Sequence, residues 1–290
     1  MNNVSLFCKS YHGDIERAIS LANSVREYNR SNLPLFFSVP QKDIALFKNQ
    51  LGNEGISWLS DEEIISANSK IQFTEYQSLP GHISQQIVKS EFWRLNPQSN
   101  YLCIDSDCRF IRNFHSSELI SVDGIPYTLI HEGKNYSQFC LTHRLQDTHA
   151  NFSKIQAQFR DFFGRSGPAY NFGPFPVLWN AQVWRDLEHN IFAPQNITIL
   201  DAILLLPSEA FWYGEALLKY KSIPLLPREP FFKAYLYFEE YEQDRRAGND
   251  ESILAVDYMG VVYQSNWYPK RLQPLKRIAY KFKSALRNIR

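Results

Sequence analysis

Apolar positions follow two rhythms through the first hundred residues. Val4-Ser5-Leu6-Phe7-Cys8 is a short, nearly continuous apolar run, the pattern of a strand buried on both faces. After the loop Lys9-Ser10-Tyr11-His12-Gly13, the residues Ile15, Ala18, Ile19, Ala22 and Val25 recur every three or four positions. That spacing predicts an amphipathic helix with Asp14 at its N-cap. Leu35-Phe36-Phe37-Ser38-Val39 predicts a second strand, and a second helix runs from Pro40 to its stop at Gly52. Ile56-Ser57-Trp58-Leu59 predicts a third strand, His82 to about Leu95 a further helix, and Tyr101-Leu102-Cys103-Ile104 a fourth strand.

Strands that alternate with helices argue for an α/β fold with a mostly parallel central sheet and helices on both faces. In such sheets ligands bind beyond the carboxyl ends of the strands. The rule selects the loop after the first strand and the acidic turn Asp105-Ser106-Asp107 after Ile104. The second half is less regular. Tyr127-Thr128-Leu129-Ile130 and Val256 to Gln264 predict strands, and Val183 to Leu187 a helix. Glu215 to Tyr220 predicts another helix, begun near Ser208, while Gly164 to Pro176 reads as a shaped loop.

Composition adds bounds. The 290 residues are 44% hydrophobic and 21% charged, which is globular, and long enough for a substantial core. A net charge of +1 argues against a nucleic-acid binder. The first residues lack a signal-peptide pattern, and no apolar run nears the roughly 20 residues of a membrane span. The expectation is a cytoplasmic protein, with Cys8, Cys103, Cys108 and Cys140 as reduced core thiols.

The acidic turn carries the chemistry. Two carboxylates at i and i+2 on an extended chain would face one side and repel each other unless a cation joined them. Mg²⁺ and Mn²⁺ prefer such oxygen donors. The bland alternative is a solvated turn whose aspartates cap backbone N–H groups.

At this point the chain resembles a known family. Tyr-Leu-Cys-Ile-Asp-Ser-Asp, residues 101 to 107, looks like the Asp-x-Asp strand end of GT-A (Rossmann-like) glycosyltransferases. Lys9-Ser10-Tyr11 with Asp14 resembles the start of their nucleotide-binding region. Gln85-Gln86-Ile87-Val88-Lys89 is similar to a Gln-x-x-x-Lys helix of a bacterial glycosyltransferase family from surface-polysaccharide gene clusters. Ser208-Glu209 through Tyr213-Gly214 resembles that family's Ser-Glu…Tyr-Gly segment. The resemblance implies a nucleotide-diphosphate sugar as donor and Mn²⁺ or Mg²⁺ as cofactor. It implies that Asp107 binds the metal, with Asp105 on the metal through water or on the ribose. It also implies that Ser106 and Gln85 belong to the donor site, that Tyr11 and Ser10 lie near the base or ribose, and that Lys89 faces the diphosphate or donor sugar. A third metal ligand is unassigned, with His131 and His143 as candidates.

Other residues complete the expectation. Glu209 is the first candidate for a catalytic base, although a carboxylate in a first helical turn is also favoured by the helix dipole. Glu215 and Asp201 are lesser candidates, and Tyr170 or Trp179 could stack on a sugar. Residues 1–269 are read as one domain, with about 1–115 on the donor side and about 116–269 on the acceptor side. Residues 270–290 read as a basic amphipathic helix suited to an anionic membrane surface. The combined expectation is a peripheral enzyme of the inner membrane face that moves a sugar onto a glycan or lipid-linked glycan such as lipopolysaccharide or capsule. The rivals are a sugar nucleotidyltransferase and an inactive membrane-associated scaffold of the same fold. The loop 9–13 has a single glycine and fits a nucleotidyltransferase poorly.

Overall fold

The structure is a computed structural model, and it describes residues 3–264. The basic tail 270–290 lies outside the described residues. Among the described residues the strands in chain order are β1 Val4–Lys9, β2 Leu35–Val39, β3 Ile56–Ser60, β4 Asn100–Asp105, β5 Cys108–Phe110, β6 Thr128–Leu129, β7 Val177–Asn180, β8 Pro227–Arg228, β9 Phe232–Tyr235 and β10 Gly260–Tyr263. The central sheet has the order β3-β2-β1-β4-β7. Its first four strands are parallel, and β7 closes the edge antiparallel to β4. A second sheet has the order β5-β10-β9, and β6 pairs with β8.

The continuous apolar runs are explained by burial on both faces of the sheet. Successive side chains of a strand point to opposite faces. Phe7, Tyr101, Cys103, Val177 and Trp179 accordingly enter one core, together with the helices Gly81–Glu91, Ala181–Leu187 and Glu209–Tyr220. Val4, Leu6, Cys8, Leu102, Ile104 and Leu178 enter the other, with Ala18, Leu21, Ala22 and Val25 of the helix Ile15–Tyr28. The first core is strongly aromatic. Tyr101 meets Phe92, Trp179 and Phe7 edge-on at 5.1, 5.7 and 6.2 Å. Its hydroxyl donates to the Lys89 carbonyl at 3.1 Å, which ties β4 to the helix bearing Lys89.

Several boundaries differ from expectation. Asp14 makes no side-chain cap and instead pairs with Arg17 at 2.7 Å. The segment after Pro40 begins as a 3₁₀ turn, Gln41–Asp43, before the helix Ile44–Leu51. Gly52 ends that helix at φ 74, where a Cβ would be strained. The last strand starts at Gly260, because Val256 lies in an exposed turn. All four cysteines are buried and free. No helix among the described residues is long and apolar enough to cross a membrane.

Candidate functional site

Strand order places the site. From β1 the chain moves outward through β2 to β3, then returns to put β4 on the other side of β1. The crevice at such a reversal is where open α/β sheets bind ligands. The register pairs Lys9 with Asp105, so the last residues of β1 and β4 stand side by side at this opening. An open cleft of about 1000 Å³ spreads from there. Ser10, Tyr11, Asp14, Gln85, Asp105, Ser106 and Asp107 all line it.

Each wall has a local cause. Asp105 ends β4, and Ser106-Asp107 form the turn into β5. The two carboxylates are therefore not on one extended segment as the i, i+2 argument required; the turn brings both to the cleft instead. The Asp107 carbonyl accepts from the Tyr263 N–H at 3.0 Å, which fastens the turn to β10. The Tyr11 ring folds back over Gly13, where a Cβ would lie 2.6 Å from the ring, so a larger residue there would displace the Tyr11 side chain. The Ser10 hydroxyl is buried and has no hydrogen-bond partner among the described residues. A buried polar atom of that kind calls for an explanation, and a ligand in the cleft it lines supplies one.

Charge on the cleft wall is mostly negative. Asp14, Asp43, Asp61, Glu62, Asp105 and Asp107 line it, against Lys9 and Lys42. Lys9 is committed to Asp61 at 2.8 Å, and Asp43 accepts from the His12 N–H at 2.9 Å. A diphosphate entering between Asp105 and Asp107 would be repelled unless a cation joined it to them. The oxygen donor set fits a hard divalent ion, which commonly takes one or two protein carboxylates and completes its shell with phosphate and water. No group of three His, Cys, Asp or Glu side chains suited to a metal occurs among the described residues. His131 does not supply a third ligand. Its Nδ1 accepts from the Gly133 N–H at 3.0 Å, and its Nε2 contacts the Gly173 carbonyl at 2.6 Å. His143 is exposed, and its ring lies tilted against Phe139 at 4.2 Å.

Lys89 and Glu209 stand behind the wall rather than on it. Lys89 is 2% exposed and Glu209 6%. The Lys89 ammonium lies 2.5 Å from Asp105 Oδ1 and 3.4 Å from Glu209 Oε1, with the Phe175 ring centroid 4.2 Å away. Burial alone would lower the Lys89 pKa, but Asp105 and Glu209 outweigh it and raise it, keeping the ammonium charged. Burial pushes the Glu209 carboxyl up, and Lys89 pulls it partly back. Lys89, expected to face the diphosphate or the donor sugar, is placed with its ammonium between two carboxylates. Glu209, expected as a base, is likewise held as a partner of Lys89 and does not line the cleft.

The lesser candidates have structural duties. Glu215 is fully buried in a two-pronged pair with Arg165, at 2.6 and 2.8 Å. Asp201 is exposed and completes a capping box with Thr198. Trp179 is a core residue at 1% exposure, and Tyr170 lies beneath the Arg165 guanidinium.

The apolar periodicity missed part of the cleft. Asp61, Glu62, Tyr76 and Gln77 come from the helices Asp61–Ser66 and Phe73–Gln77. A signal for the first was present in Ser60-Asp61-Glu62-Glu63. Ser60 Oγ accepts from the Glu63 N–H at 3.0 Å, while the Glu63 carboxylate accepts from the Ser60 N–H at 2.6 Å.

Comparison with known proteins adds a family. A solved structure of similar overall shape is the apo form of mouse xyloside xylosyltransferase 1, 10% identical, with a TM-score of 0.49, covering 92% of this chain and 99% of that one. No curated protein matches the chain. The model of DUF6492, described as a family of unknown function, matches residues 4–197. That span takes in all five strands of the central sheet and both carboxylates of the acidic turn. The chain belongs to the DUF6492 family.

Proposed function

We propose that this chain is a divalent-metal-dependent glycosyltransferase of the GT-A kind. It would take a nucleoside-diphosphate sugar as donor and a glycan hydroxyl as acceptor. The observation that carries the reading is the pair Asp105 and Asp107, two carboxylates at the strand-order reversal, opening into a cleft of nucleotide size. Asp105 and Asp107 would hold Mg²⁺ or Mn²⁺, which supplies charge stabilisation for the departing nucleoside diphosphate. Ser10 Oγ is available to hydrogen-bond the nucleoside, and the Tyr11 ring offers it a face. Gln85 reaches the same cleft from the helix Gly81–Glu91. Lys89 and Glu209 act from behind the wall, through Asp105. A bacterial surface glycan as acceptor, and contact with an anionic membrane through 270–290, belong to this proposal on the sequence resemblance and the basic tail alone.

Calorimetry with UDP, GDP and CDP, with and without Mn²⁺, tests the reading on wild type and Asp107→Ala. One nucleotide should bind, and its binding should need both the metal and Asp107. Failure of all three under every condition would remove the donor site and favour a scaffold.

A further inference from the structure

Lys89 sits where a metal ligand would be expected to stand clear. Its ammonium holds Oδ1 of Asp105 at 2.5 Å, so that oxygen already has a cation. The lysine cannot readily retreat, because it is 2% exposed and its own backbone carbonyl is tied to the Tyr101 hydroxyl. On its far side Glu209 draws on the same charge from 3.4 Å. Glu209 is itself fixed at the start of the helix Glu209–Tyr220, whose N-cap is Ser208. A single ammonium is thus divided between a carboxylate on the cleft and a carboxylate sealed inside the protein.

We propose that Lys89 and Glu209 are opposed positioning residues that set how strongly Asp105 binds the cation. Lys89 competes with the incoming ion for Asp105, and Glu209 weakens that competition by holding part of the lysine's charge. The inference rests on the proposed metal-dependent donor site and deepens it. It assigns Lys89 to the cation rather than to the nucleotide. A merely structural role for the cluster would make every substitution in it weaken binding. Opposed roles give effects of opposite sign.

The test is Mn²⁺ binding to the full chain without nucleotide, followed by electron paramagnetic resonance of the free ion. Wild type is compared with Lys89→Met, Glu209→Gln and the double variant, each first shown to be folded by circular dichroism. Partners of metal ligands typically change affinity on the order of 10–100-fold, and shifts toward the lower end are expected at this distance. Lys89→Met should tighten Mn²⁺, and Glu209→Gln should loosen it. The double variant should follow Lys89→Met, because Glu209 acts only through the lysine; it also leaves no uncompensated buried charge if Lys89→Met does not fold. Loosening by both single variants, or a double variant that follows Glu209→Gln, would overturn the inference while leaving the metal site standing. No Mn²⁺ binding by wild type would remove the metal site and this inference together.

Discussion

Asp61 shows how a single residue at the cleft can be tuned by depth. Its carboxylate is 3% exposed, accepts from Ser38 Oγ at 2.6 Å and pairs with Lys9 at 2.8 Å. Burial raises its pKa, and Lys9 recovers only part of the shift. The folded protein therefore holds this proton more tightly than the unfolded chain. The stabilisation linked to Asp61 is fully present below the ordinary carboxylate pKa and is lost as pH rises through the raised one. Denaturant midpoints for wild type and Asp61→Asn, followed from pH 4 to pH 8, should show the wild-type advantage shrinking with pH. A constant difference would mean that Asp61 is ionised alike in both states. Asp105 and Asp107 were legible in sequence because they follow an apolar strand in an alternating pattern. The state of Lys89 was not. Sequence shows its charge and its shared face with Gln85, but its partner Glu209 is 120 residues away, and depth below the surface has no local signature.

At the scale of elements, a buried ion pair anchors the start of the loop between Gly164 and Pro176, while His131 bridges it further on at Asn171 and Gly173. Arg165 reaches Glu215 in the helix Glu209–Tyr220 and also donates to the Ser166 and Pro168 carbonyls. Arg165→Met would leave Glu215 sealed from water without its partner. Such losses cost about 3–5 kcal/mol, which chemical denaturation would detect. A change below about 1 kcal/mol, the scale of a surface pair, would show that the pair is solvated. β1, β2 and β4 could be read because both of their faces are largely buried, which makes them continuous apolar runs, and the edge strand β3 because Ile56, Trp58 and Leu59 still stand out beside a turn. The helices Lys134–Thr142 and Gln146–Phe162 escaped because they are largely exposed. In the second, only Gln156 and Phe159 of seventeen residues are buried. The stripe Phe152, Ile155, Phe159 and Phe162 is present at helical spacing and packs on the aromatic core, but polar residues interrupt it and it was passed over. The edge strand β7 escaped for another reason: its four residues are all buried, too short a run to separate strand from loop.

At the scale of the whole molecule, the proposed metal site spans two sheets. Asp105 is the last residue of a strand in the five-stranded sheet, whereas the Asp107 carbonyl is bonded to β10 in the three-stranded one. The separation of the two carboxylates is therefore a gauge of how the sheets sit against each other, like the jaws of a calliper mounted on different frames. A change far from the cleft should be felt there. Gly260 begins β10, and a Cβ at that position would collide with the Phe232 ring and lie 2.5 Å from the Arg109 carbonyl. Gly260→Ala should push β10 away from β5 and β9 and weaken Mn²⁺-dependent nucleotide binding severalfold, although it alters no residue of the cleft wall. Calorimetry on the folded variant measures this, and unchanged affinity would show that the jaws are set by the Asp105-Ser106-Asp107 turn alone. If the affinity does fall, any partner that presses on the three-stranded sheet could set the grip on the donor from a distance.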